Sequence, residues 1–543
     1  MTVRGATDRF DRWAGVCTSD TLGEWRFPGN TGGRRLIVCP SHTGAACEPS
    51  GPLCQTAGME WPQTLTVVYL VATLALRIVA LGVVPEGRRP GSSMAWLMLI
   101  LLLPEVGFPL YLLIGSPYVK GRRKLIQDAA NEVIAVHSEG LPQVPQAANP
   151  DPALRSLIAM NHLLTGLPCV SGQHLGTYDT AEGLYAAMAA AVDQAEDFCH
   201  VEFYVMAWDD TTDVFFRSLE SAVGRGVKVR LLMDHLGSCQ YPGWRQFLRR
   251  MTRAGIDWHL MMPLQPLRGR WRRPDLRNHR KMLIIDGRVG FVGSHNLIDP
   301  AYGRKKNVRI GRRWLDLSIK LAGQVVNQLE AVFATDWFAE TGEMLDVPAP
   351  LSEIATLGGS NNALQLVPSG PGFPTEPNRN QFVQLMHQAT RTLTITSPYF
   401  VPDESLLTAI IGAAYRGVEV ELFVGEQADQ FLVGHAQRSY YTALLEAGVR
   451  ILLYPAPTVL HAKYCTIDGK VAVLGSSNMD FRSFALNYET MLLTFGGDLT
   501  QALLDNDAAY RAVSRELTLE EWAGQPWFSR YVDNVCRLAS AVV

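Results

Sequence analysis

The chain has 543 residues, which is enough for two or more domains with substantial hydrophobic cores. Its 49 Lys and Arg residues nearly balance its 52 Asp and Glu residues, so net charge provides no general attraction to nucleic acid. Its nine cysteines include no C-x2-C pair and no Cys/His group at zinc spacing, which argues against a structural zinc site.

The N-terminal region of the chain lacks the patterns of folded elements. Residues 1–58 are dense in Gly, Pro, Ser, Thr and Cys, show no apolar periodicity, and are predicted to be disordered. They contain no pattern of a charged region, an apolar core and a cleavage site, so they are not a signal peptide. A second interpretation is that Met59 is the biological start of the protein.

Two long apolar stretches come next, at 65–84 and 94–114, and each is long enough to cross a bilayer. A polar turn joins them, so the sequence predicts a transmembrane hairpin within residues 59–124. A buried helical hairpin in a soluble protein is the alternative. The dense cationic cluster at 120–124 predicts that both ends of the hairpin, and the catalytic part of the chain, lie on the cytoplasmic side of the cell membrane.

The rest of the chain reads as two similar halves. A linker is predicted at 125–150, a first half at 151–346, a second linker at 347–372, and a second half at 373–543. In each half, strand patterns rich in β-branched residues alternate with helical patterns. The predicted fold class is therefore α/β, with two tandem halves that contain mixed or parallel sheets.

One motif, H-x-K-x4-D-G-x6-S-x-N, occurs in both halves without a gap. It begins at His279 in the first half and at His461 in the second, 182 positions later (461 − 279). So many identities repeated in register indicate an internal duplication. A duplicated histidine-lysine pair in turn indicates one site built from two half-sites.

The repeated residue types suit phosphodiester chemistry. Positions i and i+2 of a strand project from the same face, so each histidine is expected to point the same way as the lysine two positions later. One neutral histidine can attack phosphorus, and the other, protonated, can act as acid and then base. Ammonium and polar side chains can hold the phosphate oxygens without a metal or a cofactor; the candidates are Lys281, Lys463, Ser294, Asn296, Ser476 and Asn478.

The motif aspartates allow two interpretations. Asp286 and Asp468 each precede a glycine, as is typical of hairpin turns. A structural role in the turn and a direct role in catalysis therefore both remain open.

The duplicated motif resembles the signature of the phospholipase D superfamily. The continuation of the second copy to Asn487-Tyr488-Glu489, together with the apolar hairpin, resembles bacterial cardiolipin synthases from about residue 62 to the C-terminus. This resemblance implies a pseudo-twofold fold with both motifs in one cleft. It implies transfer of a phosphatidyl group between two phosphatidylglycerol molecules, which releases glycerol. It also implies that Asp316 and Glu489 orient the histidines, and it includes Asp286 and Asp468 among the catalytic residues.

Several alternatives remain open at this stage. A phospholipase D-type hydrolase, which uses water as the acceptor and releases phosphatidic acid, would use the same residues. A nucleic-acid phosphodiesterase is disfavoured by the apolar hairpin and the balanced charge, and a non-catalytic scaffold is disfavoured by two intact motifs. Analogy with the superfamily favours His279 as the nucleophile and His461 as the acid and base. The expected partners are phosphatidylglycerol and membrane lipids, and the oligomeric state is open.

Overall fold

The computed structural model describes residues 63–86, 90–115, 125, 128, 144–145, 148–265, 270–345, 361–373 and 375–538. The predictions for residues 1–58 and for Met59 lie outside these residues, as do the cationic cluster at 120–124 and most of the linker at 125–150. The chain divides into a unit of residues 1–68, of which only the start of the first helix is described, and a unit of residues 69–543.

The apolar region is helical but is not two uninterrupted spans. Helix α1 (Gln63–Val83) contains a stretch of mean hydropathy 2.1 that is only 6% buried, and it is long and apolar enough to cross a membrane. The second predicted span, 94–114, is divided among α2 (Pro90–Leu102), α3 (Pro104–Leu110) and a π-helix (Tyr111–Gly115). Leu103 leaves the helical conformation because the ring of the following proline disfavours it there.

The first half alternates helices and strands, as its sequence pattern predicts. The elements in chain order are α4 (Pro152–Thr165), β1 (Val170–Tyr178), α5 (Ala181–Val192), β2 (Phe198–Phe203), α6 (Asp213–Gly224), β3 (Lys228–Asp234), α7 (His235–Cys239), α8 (Trp244–Ala254), β4 (Asp257–Met261), β5 (Leu264–Gln265), β6 (Arg270–Trp271), β7 (Arg277–Asn278), β8 (Lys281–Ile285), β9 (Val289–Gly293), α9 (Lys305–Arg309), β10 (Trp314–Leu315), β11 (Ser318–Gly323) and α10 (Gln324–Thr341).

The second half repeats the main order of strands and helices and ends with a further strand and two further helices. Its elements are β12 (Asn361–Ser369), α11 (Pro377–Gln388), β13 (Thr392–Thr396), β14 (Phe400–Val401), α12 (Glu404–Tyr415), β15 (Glu419–Gly425), α13 (Phe431–Arg438), α14 (Tyr441–Glu446), β16 (Arg450–Tyr454), β17 (Val459–Leu460), β18 (Tyr464–Ile467), β19 (Val471–Gly475), β20 (Met479–Asp480), α15 (Phe481–Ala485), β21 (Asn487–Phe495), α16 (Asp498–Val513), β22 (Arg515–Leu517), α17 (Leu519–Ala523) and α18 (Trp527–Arg537).

One mixed sheet runs through both halves. Its order is β22-β16-β15-β13-β18-β19-β21-β12-β1-β11-β9-β8-β2-β3-β4, and the halves meet where β12 pairs antiparallel with β1. Apart from β22, the order of one half mirrors that of the other, which is the pseudo-twofold arrangement expected of a duplication. Strands β2, β3 and β4 pair in parallel, whereas β8, β9 and β11 pair antiparallel.

The predicted boundary between the halves requires a correction. Residues 361–369, assigned to the linker at 347–372, form the buried central strand β12 between β1 and β21. Pro368 is compatible with this position because β1 pairs only with residues 361–364 of β12, so no second neighbour requires its missing N–H. The second half therefore begins at or before Asn361, rather than at 373.

Candidate active site

Two pairs of very short strands join the halves beside the repeated histidines. Strand β7 of the first half pairs in parallel with the start of β21, and β10 of the first half pairs in parallel with β17. His279 follows β7, and its amide donates to the Tyr488 carbonyl at 2.8 Å. His461 follows β17, and its amide donates to the Leu315 carbonyl at 2.6 Å. Each histidine therefore lies next to the acidic residue that directly follows the paired residues in the other half, Glu489 or Asp316.

The first histidine pairs with an acid from the second half. Nδ1 of His279 lies 3.0 Å from each carboxylate oxygen of Glu489. The Ser476 hydroxyl donates to Glu489 at 2.6 Å, and the Asn487 side chain donates to it at 3.3 Å. With Glu489 fully buried, these contacts fix the ring of His279 and leave Nε2 as the nitrogen available for chemistry.

The second histidine repeats this arrangement with an acid from the first half. Nδ1 of His461 lies 2.6 Å from Oδ1 of Asp316, which also accepts a 2.7 Å hydrogen bond from Ser294. The structure thus brings Asp316 and Glu489 to the histidines, as the resemblance implied, but crosswise between the halves. The hydroxyls of Ser294 and Ser476, which were predicted to hold phosphate oxygens, donate to the carboxylates of Asp316 and Glu489.

The two lysines are buried and equivalent. Nζ of Lys281 donates to the carbonyl of His279, and Nζ of Lys463 donates to the carbonyl of His461, both at 2.6 Å. Burial lowers the pKa of Lys281 to about 7, and the nearby charge of Lys463 acts in the same direction. Burial also lowers the pKa of Lys463, to about 8. Each lysine retains donor capacity that an anionic ligand can use.

The two histidine-acid pairs differ electrostatically. Burial raises the pKa of Asp316, but the charge and hydrogen bond of His461 outweigh it, so this pKa lies well below its usual range. Burial raises the pKa of Glu489 to about 7, although Lys281 opposes the shift. The pKa of His279 falls well below its ordinary value because of burial and the charges of Lys281 and Lys463. Burial lowers the pKa of His461 as well, but Asp316 opposes that shift.

The two motif asparagines have different surroundings. Oδ1 of Asn296 accepts from the Val205 amide at 3.2 Å, and its Nδ2 donates to the Tyr302 hydroxyl at 2.8 Å. Oδ1 of Asn478 is buried and has no hydrogen-bond partner within the described part of the chain. Among the described residues, no three His, Cys, Asp or Glu side chains form a group that could hold a metal ion.

Two tyrosines that were not predicted as site residues contact the histidines. The ring of Tyr204 lies edge-on to His279 with centroids 4.9 Å apart, and Tyr399 lies edge-on to His461 at 6.1 Å. Tyr204 directly follows β2, and Tyr399 lies three residues beyond β13, which is the equivalent strand of the second half. A tyrosine just beyond the same strand in both halves is the sequence signal that could have identified them.

The motif aspartates lie at the opposite end of their strands. Asp286 follows β8, and its carboxylate accepts from the backbone amides of residues 196, 197 and 198 at 2.8 to 2.9 Å. Asp468 follows β18 and binds the amides of residues 390, 391 and 392 in the same way. Both have a positive φ, 51° and 54°, as the predicted hairpin turns require. The strand length places Asp286 roughly 15–20 Å from His279.

Comparisons with known proteins agree with this duplicated arrangement. The family described as "Cardiolipin synthase, PLD-like domain" matches residues 188–337 and 382–506, once in each half. The family described as "Phospholipase D-nuclease N-terminal" matches residues 70–116. A solved structure, phosphatidylserine synthase from Haemophilus influenzae Rd KW20, aligns over 73% of this chain and 100% of its own, with a TM-score of 0.54 at 14% identity. That likeness concerns the fold alone.

Relatives of known name match nearly the whole length of the chain. The cardiolipin synthase of Geobacillus kaustophilus (strain HTA426) is 30% identical over 494 residues, which cover 90% of this chain and 97% of that protein. Cardiolipin synthase A of Proteus mirabilis (strain HI4320) is 32% identical over 469 residues, which cover 84% of this chain and 94% of that protein. The chain therefore belongs to the cardiolipin synthase family of the phospholipase D superfamily.

Proposed function

We propose that the chain joins two phosphatidylglycerol molecules into cardiolipin and glycerol through a phosphohistidine intermediate. Membership of the cardiolipin synthase family makes it a phosphatidyltransferase. The observation that carries the mechanism is the crosswise pairing of two histidines with two acids, beside two buried lysines.

The reaction takes place in two displacements. Nε2 of His279 attacks phosphorus, the bond to the glycerol oxygen breaks, and His461 donates a proton to the departing glycerol. A hydroxyl of the second phosphatidylglycerol then loses its proton to His461 and attacks phosphorus. The phosphorus–nitrogen bond breaks, which restores His279. Lys281 and Lys463 hold the non-bridging oxygens as negative charge develops on them.

The electrostatic asymmetry supports His279 as the nucleophile. Attack needs an uncharged imidazole, and the pKa of His279 is the more strongly lowered of the two. Proton donation needs a histidine that can become charged, and His461 is hydrogen-bonded to Asp316, whose low pKa keeps it anionic. An anionic phosphodiester between the lysines would raise the pKa of His461, in the same direction as Asp316 does.

The remaining motif residues serve the two pairs. Ser294 and Ser476 position the carboxylates, and Asn296 and Asn478 line the phosphate site. The contacts of Asp286 and Asp468 with strand-start amides support a structural role in the turns rather than a chemical one. In domain terms, residues 151–345 and 361–538 form the two halves of one catalytic unit.

The apolar region holds this unit at the cell membrane. We place two spans there, α1 and the segment from α2 to the π-helix, with both ends and the catalytic unit in the cytoplasm. Nη2 of Arg273 donates to the carbonyl of Ile114 at 2.8 Å. This hydrogen bond links the end of the second segment to the part of the chain that precedes His279. Arg273 is one of several arginines that lie shortly before His279 in the sequence.

The test uses the full chain in vesicles of phosphatidylglycerol. We expect cardiolipin and glycerol in equal amounts, a phosphoenzyme labelled on His279, and no product from His279→Ala or His461→Ala. Phosphatidic acid as the sole product would instead identify a hydrolase that uses water as the acceptor. Undiminished cardiolipin from either variant would contradict the catalytic assignment. Surface labelling of a cysteine introduced among residues 87–89, compared with one at Tyr415, tests the membrane orientation.

A further inference from the structure

The last helix of the described chain carries an exposed apolar face. The side chains of Trp527, Phe528 and Tyr531 are 73%, 60% and 58% exposed, and Val535 and Leu538 are exposed beyond them. At about 100° per residue, all five fall within about 100° of the circumference of α18. We call these five residues the apolar stripe.

The opposite side of α18 is held firmly by the fold. Asp533 and Cys536 are buried, and the Asp533 carboxylate binds Nδ1 of His435 in α13 at 2.6 Å. Arg438, also in α13, binds Gln525 at 2.6 Å just before α18 begins. The stripe is therefore exposed because the buried side of α18 faces α13, not because the helix has separated from the unit.

A chain of contacts connects this helix to the active site. Tyr399, whose ring lies against His461, donates its hydroxyl to Asp429 at 2.8 Å and accepts from Gln430 at 2.9 Å. Phe431 comes next, is 71% exposed, and packs its ring against His435 at 4.3 Å between centroids. Leu432 beside it is also exposed. Exposed apolar side chains therefore begin directly after Gln430, which contacts Tyr399, the tyrosine that lies against His461.

We infer that the apolar stripe, with Phe431 and Leu432, inserts into the interfacial layer of the bilayer that holds the lipid substrate. Trp and Tyr prefer this layer because one part of each ring is apolar and another is polar. An amphipathic helix lying in the interface buries its apolar face about 5–10 Å deep. This inference rests on the proposed function, since it assigns the side of the catalytic unit from which a bilayer lipid reaches His461.

The charges around the stripe favour an anionic bilayer over a second copy of the chain. Arg530 and Arg537 lie together on one flank of α18, and both are exposed. In the first half, the cationic segment 304–313 includes the exposed residues Val308 and Ile310. Its Arg312 donates to Gln427 at 3.4 Å, and Gln427 lies just before Asp429 and Gln430. Two copies meeting through this surface would bring cations together, whereas each cation near an anionic lipid surface contributes about 1 kcal/mol.

The first test is photocrosslinking of the full chain in phosphatidylglycerol vesicles. A benzophenone amino acid replaces Phe528 in one variant and Tyr415 in the matched control. Tyr415 is 73% exposed, somewhat more than Phe528. It lies beside Arg416, which binds the carbonyls of Met386 and Ala389 just before β13, at the end of that strand remote from Tyr399. We expect a phospholipid adduct at position 528 and none at 415. Equal lipid yields at both positions, or a protein dimer as the product at 528, would overturn the inference.

The second test measures kinetics of the triple variant Trp527→Ser, Phe528→Ser, Tyr531→Ser. With phosphatidylglycerol in vesicles, its KM should rise about tenfold, while its rate on dispersed short-chain phosphatidylglycerol stays unchanged. Tyr415→Ser should change neither. An equal loss on both substrates, or no change in KM, would refute the inference. If wild type forms no cardiolipin, the proposed function fails, but the adduct at position 528 still reports whether the surface meets the bilayer.

Discussion

Replacing Asp316 with Asn provides the sharpest test of how the two half-sites divide the reaction. Asp316 accepts hydrogen bonds from His461 at 2.6 Å and from Ser294 at 2.7 Å. The side-chain oxygen of an asparagine at this position can still accept one of these hydrogen bonds, but it carries no negative charge. A hydrogen bond to a charged group contributes about 1.5–3 kcal/mol, and a neutral one about 1 kcal/mol. The loss in the imidazolium state of His461 is therefore at most about 2 kcal/mol, which corresponds to roughly 30-fold in rate.

The loss should depend on the leaving group. With phosphatidylglycerol as the donor, formation of the phosphoenzyme should slow about 30-fold in Asp316→Asn, because glycerol leaves only as a protonated alcohol. With phosphatidyl-p-nitrophenol, whose leaving group needs no proton, the burst of nitrophenolate should stay within about threefold of wild type. Rapid-mixing absorbance and trapping of labelled enzyme measure these two steps.

Glu489→Gln is the matched control, since it acts on the other histidine at a 3.0 Å hydrogen bond. It disturbs the proposed nucleophile and should therefore slow phosphoenzyme formation with both donors. The opposite pattern, in which Glu489→Gln spares the activated donor and Asp316→Asn does not, would assign the nucleophile to His461. An equal loss for both donors in Asp316→Asn would refute acid catalysis through this pair.

Three further predictions concern residues around the site. Asp286→Asn and Asp468→Asn should each lower the free energy of unfolding by about 1–3 kcal/mol, since each carboxylate holds three amides, while kcat of the folded enzyme changes less than about threefold. Thermal unfolding and cardiolipin formation measure both effects, and a hundredfold loss of kcat would contradict them. The value of kcat/KM should fall as pH rises from about 7 to 9. Lys281 and Lys463 have pKa values of about 7 and 8, so they are protonated below this interval and lose their charge within it. A flat pH profile would refute this reasoning. Arg280→Met, which removes a cation buried beside Asp336, should cost about 3–5 kcal/mol in urea unfolding, and a cost under 1 kcal/mol would contradict that pairing.

Local sequence patterns were sufficient for much of this structure. The alternation of helices and strands, the duplication and the two hairpin turns at Asp286 and Asp468 follow from periodicity and turn chemistry, and the structure contains them. The family is also readable from the duplicated motif, because its residues keep their spacing in both halves. These features depend on neighbours within a few tens of residues.

The features that were missed depend on distant pairing. Strand β12 was taken for a linker because it begins with two asparagines and contains Pro368, and only its position between β1 and β21 makes it central. Each acid is hydrogen-bonded to the histidine of the other half because the two-residue strands β7 and β10 pair with strands well over a hundred positions away.

The crosswise pairing also explains why two copies of one motif can perform different tasks. Each histidine takes its acid from the other half, so neither half alone contains an oriented histidine. The two sites are nevertheless unequal, because one acid is an aspartate with a low pKa and the other is a glutamate whose pKa is raised to about 7. The anionic carboxylate of Asp316 stabilises a charged imidazolium at His461. The carboxyl group of Glu489, with its raised pKa, stabilises a charge on His279 less, so that this imidazole stays uncharged. In the proposed mechanism, a symmetric fold therefore supplies both a proton donor and a nucleophile, and the difference arises from residues 316 and 489 rather than from the histidines themselves.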